Sequence, residues 1–171
     1  MLLEGLESLI RAGVRQPLWS DVETNCIVDI DRDAVLTMIP HRDPFLFVDK
    51  ITALDVHGNR IRGRRFISPD DPLFRGHFPG NPIYPGVLQL EMIGQLALCL
   101  LHSAVPELDG EIRAVRIHHA VFLREVSAGE WVDVVANVVR SDEYGAVCSG
   151  QILKGDTICA FGILEVFFVE R

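Results

Sequence analysis

Between Gly86 and Ser103 the apolar positions neither alternate nor keep to one stripe. Val87, Leu88, Leu90, Met92, Ile93, Leu96, Leu98, Leu100 and Leu101 fall on every side of a 3.6-residue period. Leu, Met, Gln, Glu and Ala are good helix formers. No proline interrupts the run, and Pro85 stands at the first turn, where its missing N–H costs nothing. The spacing predicts a helix over 86–103, a rod of roughly 27 Å. A helix that is apolar all round is either buried or spans a membrane. Glu91, with Gln89 and Gln95, argues against the membrane, where a central carboxylate is costly. A central helix wrapped by the rest of the chain is therefore expected. Glu91 and Gln95 are i,i+4 neighbours, with His102 near the same face, so one thin polar stripe runs down an oily rod.

The flanking segments change period. Phe45 to Val56 alternates, His57-Gly58-Asn59 turns, and Arg60 to Ile67 returns, which reads as a hairpin. After a break at Pro106 to Gly110, Ile112 to Phe122, Trp131 to Arg140, Ala146 to Leu153 and Thr157 to Val169 read as four strands joined by short Gly-containing turns. Sequential strands with short turns make an antiparallel sheet. A long buried helix with strands before and after it implies an α+β fold, its curved sheet wrapped around the helix. Met1 to Gly13 carries Leu2, Leu3, Leu6, Leu9 and Ile10 at helical spacing. Gln16 to Cys26 reads as a loop, and Ile30 to Met38 as a further helical turn.

Ahead of the central helix the chain is stiff. Pro79, Pro82 and Pro85 and two glycines close around His77, Phe78 and Tyr84, so 76–85 is a non-helical approach that delivers His77 to the mouth of the helix. A lone histidine is more often structural than catalytic, but helix N-termini favour developing negative charge. Glu91 has two readings: a polar seam or subunit contact, or a carboxyl that donates a proton. His41-Arg42-Asp43 can be read as a charged catalytic cluster. His118 and His119, adjacent in a strand, are expected on opposite faces and so cannot jointly hold a metal.

Composition narrows the classes. At 171 residues with 49% hydrophobic residues the chain can build one core, and a net charge of -8 argues against nucleic acid. Cys26, Cys99, Cys148 and Cys159 are scattered, without metal spacing, and suit free thiols in a reducing cytoplasm. The start carries acids and no long apolar core, so it does not read as a signal peptide.

Two runs carry a resemblance. Gly76-His77-Phe78-Pro79-Gly80-Asn81-Pro82-Ile83-Tyr84-Pro85-Gly86-Val87-Leu88, followed by Glu91 and Gln95, resembles the active-site motif of the bacterial 3-hydroxyacyl-[acyl-carrier-protein] dehydratases. Ile39-Pro40-His41-Arg42-Asp43-Pro44-Phe45-Leu46-Phe47-Val48-Asp49-Lys50 resembles that family's other signature. The similarity runs from about Val35 to Phe168, leaving 1–34 as an N-terminal extension to one family-like domain. Glutamate at position 91, where relatives that also isomerise the double bond usually carry aspartate, points to the FabZ-type, dehydration-only branch.

The resemblance implies the hotdog fold and dehydration of a (3R)-3-hydroxyacyl thioester to a trans-2-enoyl thioester, with no cofactor and no metal. It makes His77 the base, held by a ring hydrogen bond to the carbonyl of Ile83. Glu91 of the other subunit is the acid, and the Gly86 N–H the oxyanion donor. Gln95 would orient Glu91, Tyr84 would gate an apolar tunnel, Phe78 belongs to the same shell, and His41-Arg42-Asp43 would be structural, placing Pro44-Phe45 beneath the site. The implied unit is a cytoplasmic homodimer, or a trimer of dimers, acting on an acyl carrier protein in fatty-acid or polyketide-type synthesis. Arg75, Arg124 and Arg62 are candidate docking cations. The rival readings are a hotdog thioesterase, against which the intact GHFPG loop counts, and a non-catalytic accessory subunit, against which the intact His77/Glu91 pair counts.

Overall fold

The computed structural model describes residues 4–105 and 110–170. Three α-helices and seven strands follow in the order α1 (Glu4–Gly13), β1 (Ile27–Ile30), α2 (Arg32–Met38), β2 (Lys50–Asp55), β3 (Arg60–Phe66), α3 (Gly86–Ala104), β4 (Gly110–Phe122), β5 (Trp131–Ser141), β6 (Gly145–Lys154) and β7 (Thr157–Glu170). The expected break at Pro106 to Gly110 lies almost wholly outside the described residues, as does the start of the N-terminal helix. The strands form one antiparallel sheet in the order β1-β2-β3-β5-β6-β7-β4. With α3 in its concave face, this is the hotdog architecture.

Apolarity on all sides of α3 has its cause in that wrapping. Met92, Ile93, Leu96, Cys99 and Leu100 are inaccessible and pack on Val132, Val134 and Ala136 of β5, Cys148 and Ile152 of β6, and Ala160 and Leu164 of β7. The helix is long and apolar enough to cross a membrane, but here the sheet takes the place of lipid. Three strand glycines let it approach closely. A Cβ added at Gly162 would come within 2.6 Å of Leu90, one at Gly63 within 2.9 Å of Leu96, and one at Gly150 would collide with Ile93. Leu90, Ile93 and Leu96, three residues apart, thus each sit over a glycine on a different strand (β7, β6, β3).

The N-terminal segment covers the convex face. Leu6 packs with Val147, Phe161 and Ile163, while Trp19 packs with Ala53, Val135 and Leu153. Buried Gln151 ties it down: its Oε1 accepts from the Leu18 N–H (2.7 Å), and its Nε2 donates to the carbonyls of Gly13 (2.6 Å) and Gln16 (2.9 Å). Covered on both faces, β6 is buried from Gly145 through Leu153, like a strand in a two-sided layer.

Three local features differ from expectation for identifiable reasons. Ile27–Ile30 pairs with β2 as an edge strand, so the helical turn expected from Ile30 starts only at Arg32. Phe45 to Asp49 is not strand, because the Gln95 side chain takes the Phe45 carbonyl and the Phe47 N–H that a ladder would need. Finally, irregular pairing between Ile117 and His119 brings both histidines to one face. His118 meets Glu165 at 2.9 Å and His119 packs on Phe161, and residues 161 and 165 share a face of β7.

Candidate active site

The approach to α3 is braced along its length. Phe78 and Asn81 exchange backbone hydrogen bonds (3.1 and 2.9 Å), Tyr84 donates to the carbonyl of Val126 (2.7 Å), and Ile83 bridges Ser127. The fold thereby presents His77 beside the helix start. His77 Nδ1 lies 2.8 Å from the Ile83 carbonyl oxygen. A carbonyl can only accept, so Nδ1 carries the hydrogen and Nε2 of the neutral ring keeps a lone pair. Phe78 stacks on the ring at a centroid distance of 4.0 Å and is 50% exposed.

His77 opens onto a cavity of about 390 Å³ lined by Ile83, Tyr84, Gly86, Gln89, Phe122 and Arg124 among others. The first N–H groups of α3 have no acceptor inside the helix and lie in this wall. Gly86 is required there, since a Cβ would meet the Phe122 ring at 2.8 Å. Tyr84 is 2% exposed, edge-on to Phe74 at 6.3 Å, so its ring is a packed wall of the cavity. Burial raises its phenol well above the ordinary range.

Glu91 lies elsewhere. Its carboxyl, 33% exposed, borders a separate apolar cavity of about 100 Å³ with His41, Gln95, Leu98, Leu101, Ile112, Ala114, Cys148, Leu164 and Val166. Gln95 Nε2 donates to Glu91 Oε1 (2.9 Å) and to the Phe45 carbonyl (2.9 Å), while its Oε1 accepts from Phe47 N–H (2.7 Å). His41 Nε2 sits 3.4 Å from the same Glu91 oxygen. Within one chain, then, Gln95 and Glu91 are brought together, and His77 and Gly86 are brought together, but the two pairs line different cavities. The place of His41 beside Glu91 was not anticipated. The only signal for it was a histidine in a charged motif, and the contact spans 50 residues of chain.

The candidate docking arginines separate as well. Arg124 is exposed at the His77 cavity, and Arg75 at the neighbouring hollow formed by Pro69 to Pro72 and Phe74. Arg62 is half-buried and bonded to Asp133 (3.1 Å), so its charge is answered within the sheet. The four cysteines are buried and free. Burial pushes the thiols of Cys99 and Cys148 up to about 12, which makes them inert rather than nucleophilic.

Comparison with known proteins gives this arrangement a context. The chain is 32% identical over 142 residues to a 3-hydroxyacyl-[acyl-carrier-protein] dehydratase FabZ of Natranaerobius thermophilus, covering 82% of this chain and 99% of the relative. Against the FabZ of Sorangium cellulosum it is 32% identical over 151 residues, covering 86% and 96%. Among solved structures, the dehydratase heterocomplex ApeI:P from Xenorhabdus doucetiae superposes with a TM-score of 0.65 at 17% identity, over 80% of this chain and 91% of that one, a likeness of fold. The FabA-like domain matches residues 39–160, from the loop that carries His41 to the strand beneath α3, and the chain belongs to that family.

Proposed function

We propose that the protein dehydrates (3R)-3-hydroxyacyl thioesters on acyl carrier protein to trans-2-enoyl thioesters in fatty-acid biosynthesis. The observation that carries this is the His77 cavity: a ring nitrogen with a free lone pair beside an open helix N-terminus. His77 Nε2 takes a proton from C2. The negative charge that develops on the thioester oxygen is met by the Gly86 N–H at the start of α3, where partial positive charge is already oriented. As the C2=C3 bond forms, the C3–O bond breaks and Glu91 gives its proton to the departing hydroxyl, which leaves as water. His77 and Glu91 then exchange the proton back through solvent or product water.

The base and acid come from two chains in this reading, as a homodimer with composite sites. β4 supports it. This strand closes the sheet, its outer edge pairs with no other strand among the described residues, and Val115 and Ile117 are exposed on it. A long strand edge is a template for pairing, and two copies related by a two-fold axis pair antiparallel. Phe122 at one end of β4 lines the His77 cavity, while Ile112 and Ala114 at the other line the Glu91 cavity. Antiparallel pairing of β4 with its copy therefore sets the His77 cavity of one protomer against the Glu91 cavity of its partner. A trimer of dimers is the higher assembly to look for by mass measurement in solution. Arg124 and Arg75 are the carrier-docking cations of this reading, which places the enzyme in the cytoplasm.

Incubation with 3-hydroxyacyl thioesters of graded length, on carrier protein and on coenzyme A, tests the proposal. The expected product is the enoyl thioester with no release of free thiol. Thiol release without enoyl product would mean a thioesterase, and neither product would leave an accessory subunit.

A further inference from the structure

His41 is half-buried, and its backbone is fixed by Arg42, whose guanidinium donates to the carbonyls of Ile39 (2.8 Å) and His41 (2.7 Å). The ring stacks on Phe45, which in turn packs on Phe47. Nδ1 is buried without a hydrogen-bond partner among the described residues. Nδ1 lacks a partner in either tautomer, so the other nitrogen decides: Nε2 stands 3.4 Å from Glu91 Oε1, an oxygen that accepts, and the neutral ring carries its hydrogen there. Gln95 Nε2–H reaches the same oxygen at 2.9 Å. One made hydrogen bond, from Gln95, and one longer approach, from His41, converge on Oε1, and none that the structure records reaches Oε2. The remaining polar group lining this cavity is the thiol of Cys148.

We infer that His41 is a positioning residue for the dehydration: with Gln95 it assigns the two oxygens of Glu91, holding Oε1 as acceptor so that Oε2 carries the proton to the substrate. The inference rests on the reading of Glu91 as the acid. When Oε2 gives up its hydrogen and the C3–O bond breaks, the charge left on the carboxylate spreads to Oε1, where the Gln95 N–H is already bonded and the His41 N–H, 3.4 Å away, tightens to a hydrogen bond as the charge develops. His41 thus acts on the step through Glu91 and touches neither C2 nor C3. The weight of one hydrogen bond to a developing charge is about a factor of ten or more.

The test compares steady-state dehydration of a 3-hydroxyacyl N-acetylcysteamine thioester by wild type, H41A, H41Q, H41F, E91Q and the double variants with E91Q. Expected for H41A and H41F is a loss of about tenfold in kcat with KM within about twofold. H41Q, which keeps a side-chain N–H, should recover most of it. In the E91Q background the same substitutions should cost less than about twofold, because the group they act through has gone. H41F keeps the ring packing on Phe45 and H41Q keeps the polarity, so the comparison survives if H41A does not fold. An equal loss in both backgrounds, or H41Q as impaired as H41F, overturns the inference. A wild type that does not dehydrate at all overturns the functional reading instead.

Discussion

Replacing Gln95 with leucine isolates the joint between α3 and the 41–47 loop. The amide is 1% exposed and makes three hydrogen bonds, to Phe47 N–H, the Phe45 carbonyl and Glu91 Oε1. Leucine fills nearly the same volume, so the cost comes from the two backbone groups left behind. A buried N–H without a partner costs about 1–3 kcal/mol, and the partly exposed carbonyl falls near the low end of that range. The apolar side chain returns about 1 kcal/mol through its own burial. A net loss of about 1–3 kcal/mol corresponds, at about 2–4 °C per kcal/mol for a chain of this size, to a fall in Tm of about 2–12 °C. Thermal unfolding at fixed protein concentration measures it, and hydrogen exchange at Phe47 N–H should lose its protection in parallel. A Tm within about 1 °C of wild type, with Phe47 still protected, would show that the loop does not depend on this side chain.

Four further outcomes are expected. His77→Ala should fold normally and lose dehydration by about 10²- to 10⁴-fold, the weight of a general base; near-wild-type turnover removes His77 from that role. Mixing His77→Ala with Glu91→Gln, each reduced to residual turnover, should restore activity through hybrid dimers carrying one intact site, and no recovery after proven subunit exchange would place both groups in one chain. Arg124→Glu should raise KM for carrier-bound substrate, with little effect on an N-acetylcysteamine thioester. The wild-type carrier KM should itself climb with salt, and equal losses on both substrates would assign Arg124 to the site or the fold. Cys99 and Cys148, with thiols raised to about 12 by burial, have on the order of one thiolate in 10⁴ at pH 8. They should resist alkylation until the protein is unfolded, and fast native labelling would contradict their burial.

What could be read from sequence was set by local rules. The all-round apolarity of 86–103 specified a wrapped helix because no other environment in water satisfies it. Turns were legible because the chain needs unusual backbone there: Asn59, Gly129 and Gly155 all take positive φ, each in a turn that residue type had marked. The pairing of Gln95 with Glu91 was legible for the same reason, since i,i+4 on a helix is a local relation. Contacts made across long stretches of chain were not legible. The Gln95 amide captures a backbone about 50 residues away, so Phe45 to Asp49 looked like strand by composition while its hydrogen bonds were spent on a helix. The same distance hid His41 from Glu91. A one-residue irregularity in β4, invisible to a period-2 pattern, turned His118 and His119 to one side.

Gly162, Gly150 and Gly63 have a consequence for how substrate length can vary. They act as three detents, each receiving one side chain of α3, so the helix is indexed against the sheet and cannot creep along its own axis. The apolar cavity past Glu91 is bounded by Leu98 and Leu101 on that rod and by Ile112, Cys148 and Leu164 on the sheet that indexes it. Its depth behaves as a fixed gauge. For an acyl chain laid in it, a shift in preferred length comes in whole side-chain steps at the far wall, with no continuous adjustment of the helix available. Substitution at Leu101 or Ile112 moves the end of the gauge, whereas an alanine at Gly150 collides with the branched Ile93 side chain, and one at Gly162 or Gly63 displaces the end of Leu90 or Leu96.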